Sequence, residues 1–149
     1  MSVKSGLAHY VLAGLQFVGF LLGGFSIYAT LKSKLVCTDC NQYLRPIGKI
    51  SKVFATTDEG SNYYENLLTH SLQSGEFAAM VSNTNKIDKL QVGAVTINAS
   101  LLGCLECKKQ TIEENFQVFN RSKEWKAVDS MKRQIALPKE VNLTSYFRK

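Results

Sequence analysis

The sequence predicts an α+β protein in which one N-terminal transmembrane helix precedes a small β domain with a helical insertion. Three observations support this prediction: an uncharged run at residues 5–31, two Cys-x-x-Cys pairs after it, and apolar alternation of period two around the second pair. The predicted division is residues 1–34 for the N-terminal stub and transmembrane helix, and residues 35–149 for the four-cysteine domain. The helical insert is expected at about residues 57–82.

Composition excludes several classes of protein. Of the 149 residues, 45% are hydrophobic and 20% are charged, and only two are prolines. These values do not fit collagen, a disordered tail, a coiled-coil rod or a disulfide-dense scaffold. The formal net charge of +6 is unevenly placed, because all 12 acidic residues follow the uncharged run.

The uncharged run is 27 residues long, which exceeds the roughly 20 apolar residues that a membrane-spanning helix needs. Tyr10 and Tyr28 are 18 positions apart, or about 27 Å along a helix, a spacing typical of rings at the two headgroup levels. A helix buried in a soluble core would need a larger protein around it. A cleaved signal has an apolar region of about 7–15 residues, and no clear cleavage site occurs at residues 26–34. We therefore interpret the run as a retained single-pass anchor.

The basic residues beside the run predict its orientation. Lys4 precedes it, whereas a larger group follows within about 20 residues, the range over which the positive-inside bias acts. The protein is therefore expected in a membrane, with residues 32–149 on the cytoplasmic side, or on the matrix or stromal side in an organelle. The basic residues after the run are Lys32, Lys34, Arg45, Lys49 and Lys52.

One face of the predicted helix is suited to packing. Gly19 and Gly23 have the small-xxx-small spacing that lets two helix backbones approach closely, and Gln16 lies on the same stripe. A glutamine near mid-membrane is costly against lipid, which favours a protein neighbour. The expected partners are membrane lipid and a transmembrane helix, either of another protein or of a second copy.

The four cysteines form two pairs of identical spacing, Cys37-x-x-Cys40 and Cys104-x-x-Cys107. Two such knuckles can supply the four thiolates of a tetrahedral zinc site. Predicted strands flank the second pair, at residues 90–102 and 111–119. Strand, knuckle and strand in this order resemble a zinc ribbon. The resemblance implies a structural zinc held by all four cysteines, although 63 residues separate Cys40 from Cys104, more than in a compact ribbon.

Three other uses of the cysteines remain open: two disulfides, a redox-active Cys-x-x-Cys, or an iron site. Neither pair has the strand-then-helix setting of a thioredoxin-like site, since Cys40 is followed by Asn-Gln-Tyr and Cys107 by Lys-Lys. We therefore expect zinc as the cofactor, with iron or no metal as the alternative.

The remaining segments predict ordinary core elements. Residues 44–55 are expected to be extended, Thr57 is a candidate N-cap of a helix that ends at Ser74-Gly75, and a short helix is expected at 76–81. Apolar spacings of three, three and four predict another helix at 125–137.

No enzyme motif is present in the sequence: it has no phosphate loop, HExxH, GxSxG or evident carboxylate pair. We expect a non-catalytic accessory or assembly subunit of a membrane protein complex, docking through a zinc-stabilised domain. The alternative is a membrane-anchored thiol/disulfide or electron-transfer protein that uses its Cys-x-x-Cys pairs. No nucleic acid is expected as a partner, because anionic headgroups account for the basic residues near the anchor at about 1 kcal/mol each.

Overall fold

The computed structural model describes residues 4–32 and 34–148, with the side chains described from residue 10 onward. The chain divides into two compact units, Met1–Leu35 and Val36–Lys149. Most of the predicted N-terminal stub falls on residues 1–3, outside the described residues.

The first unit consists of one helix, α1, which spans Lys4–Lys32. Its 29 residues correspond to about 43 Å of helix. The segment Tyr10–Lys32 is long and apolar enough to cross a membrane, and its side chains are exposed. The Thr30 hydroxyl donates a hydrogen bond of 2.8 Å to the Ser26 carbonyl, which satisfies that polar group within the helix. The prediction of an N-terminal helix that can span a membrane is confirmed.

The second unit is built on an antiparallel sheet. The strands are β1 (Arg45–Phe54), β2 (Val95–Gly103), β3 (Gln110–Phe119), β4 (Trp125–Ala127) and β5 (Arg133–Ala136). The order β1-β2-β3 is continuous, and the other edge of β3 pairs with β4 at one end and with β5 at the opposite end. The mixed helix and antiparallel sheet confirm the coarse fold class.

Two helices follow β1 in the chain, α2 at Thr57–Leu67 and α3 at Gly75–Ser82. Thr56, one residue before the predicted cap, accepts a hydrogen bond from the Glu59 amide. The predicted end of this helix at Ser74-Gly75 was wrong, because α2 stops at Leu67 and Ser74 instead caps α3 by accepting from the Phe77 amide. The last helix, α4, is a single turn at Thr144–Phe147.

The core has two apolar clusters on the helix-covered face of the sheet. The larger one joins α3, α4 and the central strands around Phe77, Leu101 and Ile112. The smaller one lies at the start of β2, around Val95 and Phe116. Close packing there depends on Gly60, since a Cβ at this position would lie 2.9 Å from Cγ1 of Val95.

Charged side chains are buried beside these clusters. Glu114 on β3 is fully buried and accepts a 2.5 Å hydrogen bond from Nε of Arg133 on β5. The Arg133 guanidinium also stacks 3.5 Å from the ring centroid of Tyr64. Lys52 on β1 donates to the carbonyl of Asn83 and lies 5.4 Å from the ring centroid of Tyr63. A buried ion pair of this kind is costly to break, because the remaining charge is left without a partner.

The predicted helix at 125–137 was wrong. This segment instead forms β4, one 3-10 turn at Asp129–Met131, and β5. The edge of β3 that is not paired with β2 offers backbone N–H and C=O groups, and the two ends of this segment pair with them as strands. Of the residues whose spacing predicted the helix, Trp125 lies on β4, Met131 in the 3-10 turn and Ile135 on β5, so they do not share one helical face.

Candidate metal centre

The first cysteine pair lies in a tight turn just before β1. The amide of Cys37 donates a 2.8 Å hydrogen bond to the carbonyl of Gln42, and the amide of Asn41 donates to the carbonyl of Cys37 at 2.9 Å. Asn41 has a φ of 54°, the left-handed conformation that asparagine tolerates better than most residues. The turn is closed further by an isolated β-bridge between Val36 and Tyr43.

The second pair repeats this geometry between β2 and β3. The amide of Cys104 donates a 2.9 Å hydrogen bond to the carbonyl of Lys109, again five positions later in the chain. Lys108, four positions after Cys104, has a φ of 61°, matching the position and conformation of Asn41. Two segments without other sequence similarity therefore form the same knuckle.

The two knuckles meet so that all four sulfur atoms lie within 4.8 Å of one another. The Sγ atoms of Cys37 and Cys107 are 3.5 Å apart, well beyond the roughly 2.05 Å of a disulfide bond, and all four cysteines are free thiols. A tetrahedral zinc site with Zn–S bonds of about 2.3 Å places its sulfurs about 3.8 Å apart. The four cysteines thus fit one metal ion such as zinc.

Electrostatics favour a cation at this position. Backbone amide hydrogen bonds, first from Cys107 and then from Glu106, lower the pKa of Cys104 to about 7. The side chain of Cys107 and partial burial raise the pKa of Cys40 to about 12. The surroundings therefore favour a thiolate at Cys104, whereas the Cys107 side chain and burial disfavour one at Cys40 when no cation is bound. A bound divalent ion would supply the positive charge that allows four thiolates.

Ion pairs outside the sulfurs connect the knuckles. Asp39, in the first knuckle, accepts a 3.2 Å hydrogen bond from Nζ of Lys109, which follows the second. Lys139 approaches the other carboxylate oxygen of Asp39 at 3.7 Å. The hydrogen bond from Lys109 lowers the pKa of Asp39, so the carboxylate stays charged. The contact between Asp39 and Lys109 thus links the two turns outside the sulfur cluster.

The cysteines are the predicted site residues that the structure brings together. Gln16, Gly19 and Gly23 lie on α1, and in the described part of the chain a Cβ built at either glycine meets no atom within 4 Å apart from those of its chain neighbours and of the adjacent helix backbone. Their packing against another helix stays a prediction.

Sequence reasoning missed the buried pair Glu114–Arg133 and a cation-lined pocket beside Cys104. One sequence signal for the pair was available. Ile135 and Leu137 are large apolar residues at alternate positions, a strand-like pattern that places Arg133 on the same face. The pocket combines three distant segments, and no local pattern indicates it.

No known protein family, curated protein or solved structure matches this chain.

Proposed function

We propose that this protein is a non-catalytic accessory or assembly subunit of a membrane protein complex, anchored by α1 and docking through a domain that one structural zinc stabilises. The observation that carries the proposal is the convergence of Cys37, Cys40, Cys104 and Cys107 within 4.8 Å. Four thiolates complete a tetrahedral zinc site and leave no position for water or substrate. A closed site of this kind supports a structural role for the ion.

The zinc would act as a long-range crosslink. It would join the segment before β1 to the β2–β3 connection, across the 63 residues between Cys40 and Cys104 that include both helices α2 and α3. Holding these ends together restricts the unfolded chain and fixes one end of the sheet. The domain could then present a constant surface to a partner.

The anchor supports the accessory role through its composition. Gln16, Gly19 and Gly23 offer a narrow polar and small-residue stripe, whereas Val11, Val18 and Leu21 place bulky apolar side chains on the other side of the helix. We propose that this stripe packs on a transmembrane helix of the complex.

We further propose that residues 32–149 face the cytoplasm, or the matrix or stroma of an organelle, where thiols stay reduced. Protease added to sealed cells or organelles should leave the domain intact until the membrane is opened. Digestion of the domain from outside would contradict this orientation.

The zinc role is tested with Cys104→Ser in the full-length protein in detergent. Loss of one ligand should lower the melting temperature by about 10 °C or more, equivalent to several kcal/mol, whereas Thr38→Ser in the exposed turn should leave it unchanged. Chelation should destabilise the wild type as strongly as the mutation does. An equal response of the two variants would overturn the structural role.

A redox function is the second candidate, because all four cysteines are free thiols within 4.8 Å of one another and Cys40 and Cys107 are partly exposed. Neighbouring thiols that solvent can reach can be oxidised to a disulfide. Under this alternative, reductant rather than chelator would change the stability of the domain, and no stoichiometric metal would be found.

A further inference from the structure

A pocket of about 370 Å³ lies beside the second knuckle, within the folded domain. Three separate segments line it: the start of β1, the Cys104 knuckle with the first residue of β3, and the C-terminal segment that leads into α4. Its volume falls in the range of pockets that hold small organic ligands.

All the charged residues that line this pocket are basic. Arg45, Lys108 and Arg148 line it, and none of its lining residues is acidic. None of these three cations forms an ion pair with any residue that the structure describes. By contrast, neighbouring Lys109 is already paired with Asp39. All three side chains are exposed, and an anion held between them would accept charge-assisted hydrogen bonds from them.

The walls of the pocket are held in place by buried contacts. Gln110, only 4% exposed, donates to Oδ1 of Asn142 and Oγ1 of Thr144 and accepts from the amide of Leu143. Phe147 is buried in the core and packs so tightly on β1 that a Cβ at Gly48 would lie 2.5 Å from its carbonyl oxygen. The pocket therefore exists before any ligand arrives, which lowers the entropic cost of binding.

The lining is also partly apolar. Pro46, Ile47 and Leu105 contribute hydrocarbon surface, whereas Asn142 and Thr144 contribute polar atoms beside the cations. This combination suits an anion that carries an organic group better than a bare inorganic ion. Two guanidinium groups and one ammonium match the donors that phosphate oxygens prefer.

We propose that this pocket binds a phosphate ester, with Arg45, Lys108 and Arg148 contacting the phosphate and Pro46 and Ile47 contacting the attached organic group. The phosphate can come from a soluble phosphate ester or from the headgroup of an anionic lipid, since the chain carries a helix able to span a membrane. Cys104 lines the same pocket, so the ligand would contact the metal knuckle directly.

The test compares two charge-matched double variants of the full-length protein. Arg45→Gln/Arg148→Gln removes two pocket cations, whereas Lys86→Gln/Arg121→Gln removes two exposed cations outside it. Lys108→Gln, on an exposed turn, is a further pocket variant should the first fail to fold. The readout is the melting temperature, with potassium chloride at equal ionic strength as the reference.

The two sources of phosphate are distinguished by two arms. In neutral detergent the probe is glycerol 3-phosphate; in nanodiscs the comparison is phosphatidylcholine alone against phosphatidylcholine with one-fifth phosphatidic acid. We expect at least one of the two probes to raise the melting temperature of the wild type and of the Lys86/Arg121 control. The increase in melting temperature should be roughly tenfold smaller in the pocket variants. A response in detergent assigns a soluble ester, and a response in nanodiscs alone assigns a lipid headgroup.

The proposal is overturned if neither probe stabilises the wild type, or if pocket and control variants respond alike. It is also overturned if the pocket variants lose zinc without any difference in phosphate response. In that case the cations only offset the negative charge of four thiolates around the ion.

Discussion

The Sγ atoms of Cys37 and Cys107 lie 3.5 Å apart although 70 positions separate the two residues in the chain. The contact joins the residues that precede β1 to the connection between β2 and β3, so the intervening helices are enclosed in one large loop. Closing such a loop costs conformational entropy, and a bound metal would offset that cost. Loss of the metal should consequently affect the whole sheet rather than one turn.

The left-handed residue of the first knuckle provides a test of its geometry. Asn41 has a φ of 54°, and alanine in this region costs about 1 kcal/mol more than asparagine or glycine does. Asn41→Ala should lower the free energy of unfolding by about that amount, whereas Asn41→Gly should not. Asn85→Ala, in a loop without positive φ, is the matched control. Denaturant unfolding measures the difference, and equal effects at positions 41 and 85 would contradict the assigned conformation.

The buried ion pair Glu114–Arg133 should contribute far more to stability than the surface pair Glu113–Lys132. Glu114→Gln leaves the Arg133 guanidinium without its counter-charge inside the core and should cost about 3–5 kcal/mol. Glu113 points to the opposite face and pairs with Lys132 at the surface, so Glu113→Gln should cost about 0–1 kcal/mol. Chemical denaturation of both variants is the measurement. A similar cost at both positions would mean that the interior pair is not desolvated.

How much of the fold was predictable depends on how local its signals are. The strands around Cys104, the extended segment of β1 and the helix after Thr56 follow from patterns within about a dozen residues, and all are present, although β2 begins at Val95 rather than at residue 90. The stretch from Trp125 to Leu137 has a period near three, yet its structure is decided by the distant edge of β3. A pattern within the segment could not reveal that edge.

In the candidate site too, the sequence predicted the part that depends on a local pattern and missed the part that depends on tertiary packing. Identical spacing of the two Cys-x-x-Cys pairs predicted that four thiolates belong together, and the structure places them within 4.8 Å. The pocket lined by Arg45, Lys108 and Arg148 depends on where the C-terminal segment docks, and that docking involves the hydrogen bonds of Gln110 and the burial of Phe147. Such a tertiary arrangement has no signature in the sequence.

Stability should depend on pH through Lys52. Burial lowers the pKa of Lys52 from 10.5 to about 8, although the negative charge of Glu114 opposes the shift. Between about pH 8 and 10.5 the unfolded chain therefore holds a proton that the folded protein has released, and the free energy of unfolding should rise with pH. Lys52→Met lacks this contribution. Denaturant unfolding from pH 7 to 10 should show a steeper rise for the wild type, and parallel curves would contradict the pKa shift.

The anchor can be tested by enlarging its glycines. Gly23→Ile adds bulk to the stripe that contains Gln16 and Gly19, and it should weaken co-purification with a partner helix without reducing membrane insertion. Gly14→Ile adds the same group on the opposite side, about 180° around the helix from Gly23. Crosslinking followed by affinity purification compares the two. Equal recovery of the partner from both variants would mean that this stripe does not pack on protein.

The metal content of the purified full-length protein tests the central claim most directly. Inductively coupled plasma mass spectrometry, combined with thiol titration before and after chelation, should find one zinc per chain and four cysteines that react only once the metal is removed. One iron per chain would assign a different ion to the same thiolates. No stoichiometric metal, with the cysteines oxidised in pairs, would contradict a structural zinc and favour the redox function instead.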